Sequence, residues 1–236
     1  MPLITDLING NHFMNFDKNL SIKTEKNSQL VFRLLKKNDL KNVLNLMSEI
    51  KPMIGGVRYR SFYYVICLEA LSDKRVVFAV CEEKSKIVGF RIAIIDLYNW
   101  RRSLFYRHPL VGMMVVFTRI FNKILKQTRN RKKIIDKDFK IQAIKEFITT
   151  VPTDKSWSDL SPEIAKGLFV GVAESHRGKH VGKQLVQYTN QIMAERGQRR
   201  IDGRILMNNV PSIRLHFGLG YEIYKKGNYF FVTKNL

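Results

Sequence analysis

Gly167 to Val172 (GLFVGV) reads as a strand and leads into Arg177-Gly178-Lys179-His180-Val181-Gly182-Lys183, where a helical pattern begins. Strand, tight loop and helix in that order gather backbone N–H groups at a helix N-terminus, where the helix dipole adds positive potential. Gly178 and Gly182 let the backbone approach a ligand closely. Arg177, Lys179 and Lys183 add full charges, so a phosphate or pyrophosphate is the natural guest. The spacing is not that of a dinucleotide-binding GxGxxG loop. It is not a P-loop either, since no Gly-Lys-Ser/Thr closes it.

A second segment lies downstream: Asn209-Val-Pro-Ser212-Ile-Arg-Leu-His216-Phe-Gly-Leu-Gly220-Tyr221. Asn209 suits a helix N-cap, and Gly220 a helix stop. The Val172–Lys183 segment resembles the acetyl-CoA loop of the GNAT superfamily of N-acetyltransferases, Arg/Gln-x-x-Gly-x-Gly/Ala after a strand. The 209–221 segment is similar to that superfamily's Asn-x-x-Ala/Ser-x-x-x-Tyr-x-x-x-Gly-Phe ending. The match covers roughly residues 166–236.

The resemblance implies direct transfer of an acetyl group from acetyl-CoA, the cosubstrate, to a primary amine. It places the pyrophosphate on Arg177, Gly178, Lys179, His180, Val181, Gly182 and Lys183. It places the thioester along Val170, Gly171 and Val172, whose N–H groups would polarise the carbonyl. Asn209 is either a cofactor ligand, an N-cap, or both. There are three departures from the family pattern. His180 stands for the first loop Gly, Glu174 for a frequent Pro, and His216 for the Tyr that often protonates the leaving thiolate. His216 could be that acid, since an ordinary imidazole titrates near neutrality. Glu49, Glu174 and His176 are candidate bases by residue type alone.

These residues need a frame to hold them. Leu30–Leu35 reads as a first strand, and Asn38 or Asp39 can cap a helix with Leu40, Val43, Leu44, Met47 and Ile50 at helical spacing. Tyr59, Phe62, Ile66 and Ala70 suggest a second helix. Val76–Cys81 and Lys86–Ile95 are strands joined by a hairpin at Glu82–Ser85. After the loop, Val181, Leu185, Thr189, Ile192 and Met193 should face inward on a helix. Arg200–Met207, a short helix from Asn209, and a strand pair at Tyr221–Lys225 and Tyr229–Thr233 complete the pattern. The expected fold is α+β, a GNAT-like, mostly antiparallel mixed sheet flanked by helices. Residues 1–28 read as a flexible arm and 29–236 as one domain. A basic helical insertion at 96–160 interrupts it between the third and fourth core strands. Within the insertion, residues 110–125 read as a basic amphipathic helix and 139–148 as a weaker one. Trp100 and Trp157 flank it as packing anchors.

The chain has 236 residues, with 41 Lys+Arg against 20 Asp+Glu and a net charge of +21. That excess favours anionic partners and disfavours a cationic protein substrate. Thirteen basic and two acidic residues fall in 101–145, so about half the excess sits in that one stretch of the insertion. Three readings of that stretch remain open: a lid or dimer-packing element, an anionic lipid contact, or a phosphate-tracking RNA or DNA contact. Cys67 and Cys81 form neither a disulfide framework nor a metal site and read as core. No signal-peptide pattern opens the sequence, so a cytoplasmic protein is expected. The acceptor amine is expected on an anionic carrier, with a nucleotide-linked amino sugar first, a charged tRNA next and a protein N-terminus still open. The competing reading is a non-catalytic GNAT-like module that binds nucleic acid or membrane through its basic insertion.

Overall fold

Strands β1 (Leu20–Lys23), β2 (Gln29–Leu34), β3 (Val76–Glu83), β4 (Lys86–Ile94), β5 (Ile164–Val172), β6 (Arg200–Leu206), β7 (Glu222–Lys226) and β8 (Tyr229–Asn235) form one sheet. Its order is β1-β2-β3-β4-β5-β6-β8-β7. Every neighbouring pair is antiparallel except β5 and β6. The computed structural model describes residues 20–23, 29–50, 60–110, 113, 161–226 and 229–236. The fold is the expected one: a mostly antiparallel mixed sheet flanked by helices.

Alternation along the strands makes two cores. Val77, Ala79 and Cys81 of β3 turn to one face with Val181, Leu185 and Met193 of helix α4 (Val181–Glu195) and Ile213 of α5 (Val210–Phe217). Val76, Phe78 and Val80 turn to the other face with helices α1 (Leu40–Ile50), α2 (Arg60–Ser72) and α3 (Leu97–Arg107). The β3–β4 turn is Lys84-Ser85, both at positive φ, 47° and 65°. Such angles suit a two-residue hairpin whose twist matches its strands. The five residues expected to face inward on α4 are all buried.

The differences from expectation are local. Asp39 does not cap α1. It closes a 3-10 turn at Lys37–Asp39, accepts the Lys36 N–H at 2.7 Å and takes Arg33 as ion partner at 2.6 Å. Residues 20–23 of the expected arm form an edge strand on β2. The buried strand expected at 167–172 begins at Ile164, and Leu168, Phe169, Val170 and Val172 are only half-buried.

The expected insertion opens with α3. Asp96 caps it, accepting the Asn99 N–H at 3.1 Å, and Leu97, Trp100 and Leu104 are buried. Arg107 and His108 then reach buried Glu69 on α2, at 2.8 and 3.1 Å. Arg107 also pairs with Asp73. The helices expected at 110–125 and 139–148, the basic run between them and Trp157 lie outside the described residues, apart from Leu110 and Met113, both exposed.

Candidate active site

β5 is the element around which the site is built. It pairs with β6 only from Ile164 to Gly167, opposite Arg200 to Gly203. Beyond Gly167 it stays on β4 while β6 follows β8 to Leu206. The two central strands therefore diverge, which explains the half-burial of Leu168, Phe169, Val170 and Val172. The register on β4 slips at the same place. Ile92 faces Phe169 and Ala93 faces Gly167, so Leu168 is the extra residue of a bulge.

Hydrogen-bond alternation fixes which backbone groups face the gap. The Ala173 N–H donates to the Val88 carbonyl at 2.8 Å. In an antiparallel ladder that directs Gly171 and Phe169 toward β4. The N–H groups of Val170 and Val172 then point away from β4, into the space where β6 has departed. Gly171 is a glycine for want of room. A Cβ there would sit 2.9 Å from the Phe90 ring and 3.1 Å from Ile50 Cδ1. The last turn of α1, carrying exposed Glu49, thus ends beside the splayed half of β5.

The loop between β5 and α4 is exposed at Arg177, Gly178, Lys179, His180 and Lys183. Gly178 has φ +78° and His180 has φ +60°. His180 takes the N-cap position of α4 in the left-handed region, which histidine tolerates better than most non-glycine residues. The first intrahelical bond runs from the Gln184 N–H to the His180 carbonyl. The N–H groups of Val181, Gly182 and Lys183 precede that ladder and point out of the helix end. A Cβ on Gly182 would lie 3.6 Å from Val172 and 3.8 Å from Leu215 of α5. The end of β5, the start of α4 and the flank of α5 therefore meet at this glycine. Asn209 caps α5, accepting the Ser212 N–H at 3.2 Å.

His216 lies on α5, 8% exposed, with its ring edge-on to Tyr221 at 4.9 Å. Its Nδ1–H donates to the Ser212 carbonyl at 2.8 Å. Burial, joined by the positive charge of Arg91, pushes its pKa down to about 4. At neutral pH it is an uncharged imidazole whose one proton is already engaged and whose Nε2 carries a lone pair. The general-acid role expected of His216 does not follow from this arrangement. Glu174 is exposed in the 3-10 turn Glu174–His176 that follows β5. His176 is bound to Glu83 at 2.9 Å and to Ser175 at 2.8 Å, which ties the turn to the end of β3.

Sequence reasoning missed Arg91, Asn190, Lys166 and Asp202, four buried polar residues of the sheet and its flanking helix. Arg91 of β4 is 3% exposed, and its Nη2 points to the Tyr221 hydroxyl at 3.4 Å. That hydroxyl donates to Asn190 Oδ1 at 2.9 Å. On the opposite face of the sheet, buried Lys166 meets buried Asp202 at 2.8 Å, and Arg200 and Thr233 also donate to Asp202. The available signal was a lone charge inside an apolar strand run, as in KIVGFRIAII. Such a charge must find a partner or a task. Cys67 and Cys81 are free and buried, and burial pushes both thiols up to about 12. Among the described residues no cluster of metal-ligating side chains occurs, and no helix is long and apolar enough to cross a membrane.

A sheet opened between two parallel central strands, ending on a basic loop and a helix N-terminus, defines the class of protein. The chain belongs to the acetyltransferase (GNAT) family, whose model matches residues 41–221. It is accordingly an acetyl-CoA-dependent N-acetyltransferase. Its fold is similar to that of an N-acetyltransferase from Staphylococcus aureus Mu50, at 14% identity and TM-score 0.52, covering 87% of this chain and 98% of that one. It is also similar to the PaiA N-acetyltransferase of Thermoplasma acidophilum, solved with coenzyme A, at 13% identity and TM-score 0.52, covering 88% and 99%. YncA from Salmonella typhimurium, solved with its cofactor acetyl-CoA, is similar at 13% identity and TM-score 0.51, covering 88% and 94%. No curated protein sequence matches the chain.

Proposed function

We propose that this enzyme acetylates a primary amine carried on an anionic molecule, with a nucleotide-linked amino sugar as the first candidate. The observation that carries the donor half of this reading is the divergence of β5 from β6. It turns the Val170 and Val172 N–H groups into a gap that runs toward the start of α4. Acetyl-CoA would lie along that gap. Its pyrophosphate would rest on Arg177 to Lys183, where the N–H groups of Val181, Gly182 and Lys183 offer a fixed set of donors. Asn209 holds the adjoining helix start. The acetyl group is the chemistry that acetyl-CoA supplies. The Val170 and Val172 N–H groups would hold its carbonyl oxygen and favour the charge that develops there as the amine attacks.

The acceptor half rests on charge. The excess of +21 biases the surface toward an anionic carrier. A cytoplasmic setting fits two buried, unpaired thiols. Calorimetry with acetyl-CoA, followed by thiol release over a panel of amines, tests the proposal. Micromolar binding and turnover on an anionic amine support it. Absence of acetyl-CoA binding at millimolar concentration overturns the donor site, and turnover confined to cationic amines overturns the acceptor class. Gly182→Glu tests the loop. The space around Gly182 accepts a Cβ, so the fold stands while a carboxylate is set against the pyrophosphate. Affinity for acetyl-CoA should fall at least tenfold.

A further inference from the structure

Among the described residues, Arg91 is the one buried cation of the sheet that has no anion as partner. Lys166, equally buried, has Asp202 at 2.8 Å. Arg91 is 3% exposed, and among the described residues its side chain has one hydrogen bond, a long one of 3.4 Å to a tyrosine hydroxyl already engaged with Asn190. Its Nη1 is buried and has no hydrogen-bond partner among the described residues. A buried guanidinium normally keeps a carboxylate beside it, because desolvating a lone charge is costly. Among the described residues the polar side chains recorded beside it are Tyr221 and the neutral His216, and neither is an anion.

Its position gives the charge a purpose. Arg91 faces Val170 in register, in the close, non-hydrogen-bonded kind of pair. Nη2 lies 3.3 Å from where a Cβ on Gly167 would stand, and Gly167 is the last residue of β5 that pairs with β6. The guanidinium therefore sits at the root of the gap, beside His216. His216 stands at the family's proton-donor position but has its only proton committed to Ser212.

We propose that Arg91 is the counter-ion of the thiolate that leaves acetyl-CoA. The inference rests on acetyl-CoA lying in the gap as described above. In the transfer, the C–N bond to the amine forms and the C–S bond breaks. The sulfur keeps the bonding pair and departs as thiolate, and the amine's proton passes to water. With the His216 proton committed to Ser212, the negative charge on sulfur needs a fixed positive partner. Arg91 is that partner, preorganised and shielded from water.

The test reads the thiol of bound CoA directly, by ultraviolet thiolate absorbance against pH, with the desulfo-CoA complex as blank. A cation within about 4–6 Å lowers an acid's pKa by about one to three pH units. In the wild-type complex the CoA thiol should titrate that far below free CoA. Arg91→Lys should keep most of the effect, and Arg91→Met should return the thiol to the free value or above. Thermal unfolding should show Arg91→Met at least as stable as wild type, because a similar volume replaces an unpaired charge. Identical thiol titration in wild type and Arg91→Met overturns this inference while leaving the acetyl-CoA site standing. Failure of wild type to bind CoA overturns both. Loss of turnover with succinyl-CoA alone, without change in the thiol titration, reassigns Arg91 to an acyl carboxylate and overturns the thiolate role.

Discussion

His216 has a consequence for stability that can be measured apart from catalysis. In the unfolded chain it titrates near 6.5, and in the fold burial holds it near 4. Between those values the unfolded chain binds more protons. The contribution of His216 is therefore full above pH 6.5, is lost as pH falls, and is gone below about pH 4. The whole span corresponds to about 3 kcal/mol. Urea unfolding of wild type and His216→Gln at pH 7 and pH 5 should separate it. Wild type should lose about 2 kcal/mol more than the variant over that interval. Equal losses would mean that His216 is not held neutral. The same neutrality bears on rate: kcat should show no fall through pH 6–7 that His216→Gln abolishes. The identity of His216 was legible in the sequence, through its place seven residues after Asn209, but its protonation was not. That depends on burial and on Arg91, which is distant in the chain. The Arg91–Tyr221 contact spans 130 residues, and Lys166–Asp202 spans 36. Pairings of that kind leave no local spacing to read.

Elements were read better, and the reason is periodicity. α4 shows its buried face at helical spacing, and the β3–β4 hairpin is bounded by two apolar runs. The loop before α4 is contiguous, so its glycines and cations could be read directly. The splay of β5 could not be foreseen, because it is a relation among β4, β5 and β6 rather than a property of GLFVGV. It is nonetheless sensitive to single atoms. Gly171→Ala would press a methyl group against Phe90 and Ile50. The expected cost is about 1–3 kcal/mol in a denaturant titration, with weaker acetyl-CoA binding as Val170 and Val172 shift. α3 is the other element that spacing did not announce, since its buried face is only Leu97, Trp100 and Leu104. Ion pairs supplement it. The Asp73 carboxylate, although burial opposes its ionisation, is held down to about 2 by hydrogen bonds from Arg75 and Arg107. Its contribution persists above pH 4 and fades as pH falls toward 2. Asp73→Asn should cost about 2 kcal/mol at neutral pH, the scale of a charge-assisted hydrogen-bond network. Circular dichroism during the same titration would show whether α3 melts before the sheet.

At the scale of the molecule, the charge of +21 poses one question that experiment can answer: does CoA feel the whole field or only its own loop? Charges separated by more than a Debye length, about 8 Å at physiological salt, are largely screened. Lys179 and Lys183 flank the start of α4 on one side of the sheet. Arg101 and Arg102 are exposed on α3, which packs on the opposite side against α1 and α2. Each pair contributes the same two charges to the total. If loop geometry governs, Lys179→Gln with Lys183→Gln should weaken acetyl-CoA binding several-fold and flatten its dependence on salt. Arg101→Gln with Arg102→Gln should leave both unchanged at 150 mM salt. At very low ionic strength the Debye length grows to about 30 Å, and the α3 pair should then lower the association rate as well. Equal weakening by the two double variants at physiological salt would refute a local loop and assign cofactor capture to the summed field. The charge outside the loop would then serve the cofactor, and it would cease to be an independent argument for an anionic acceptor.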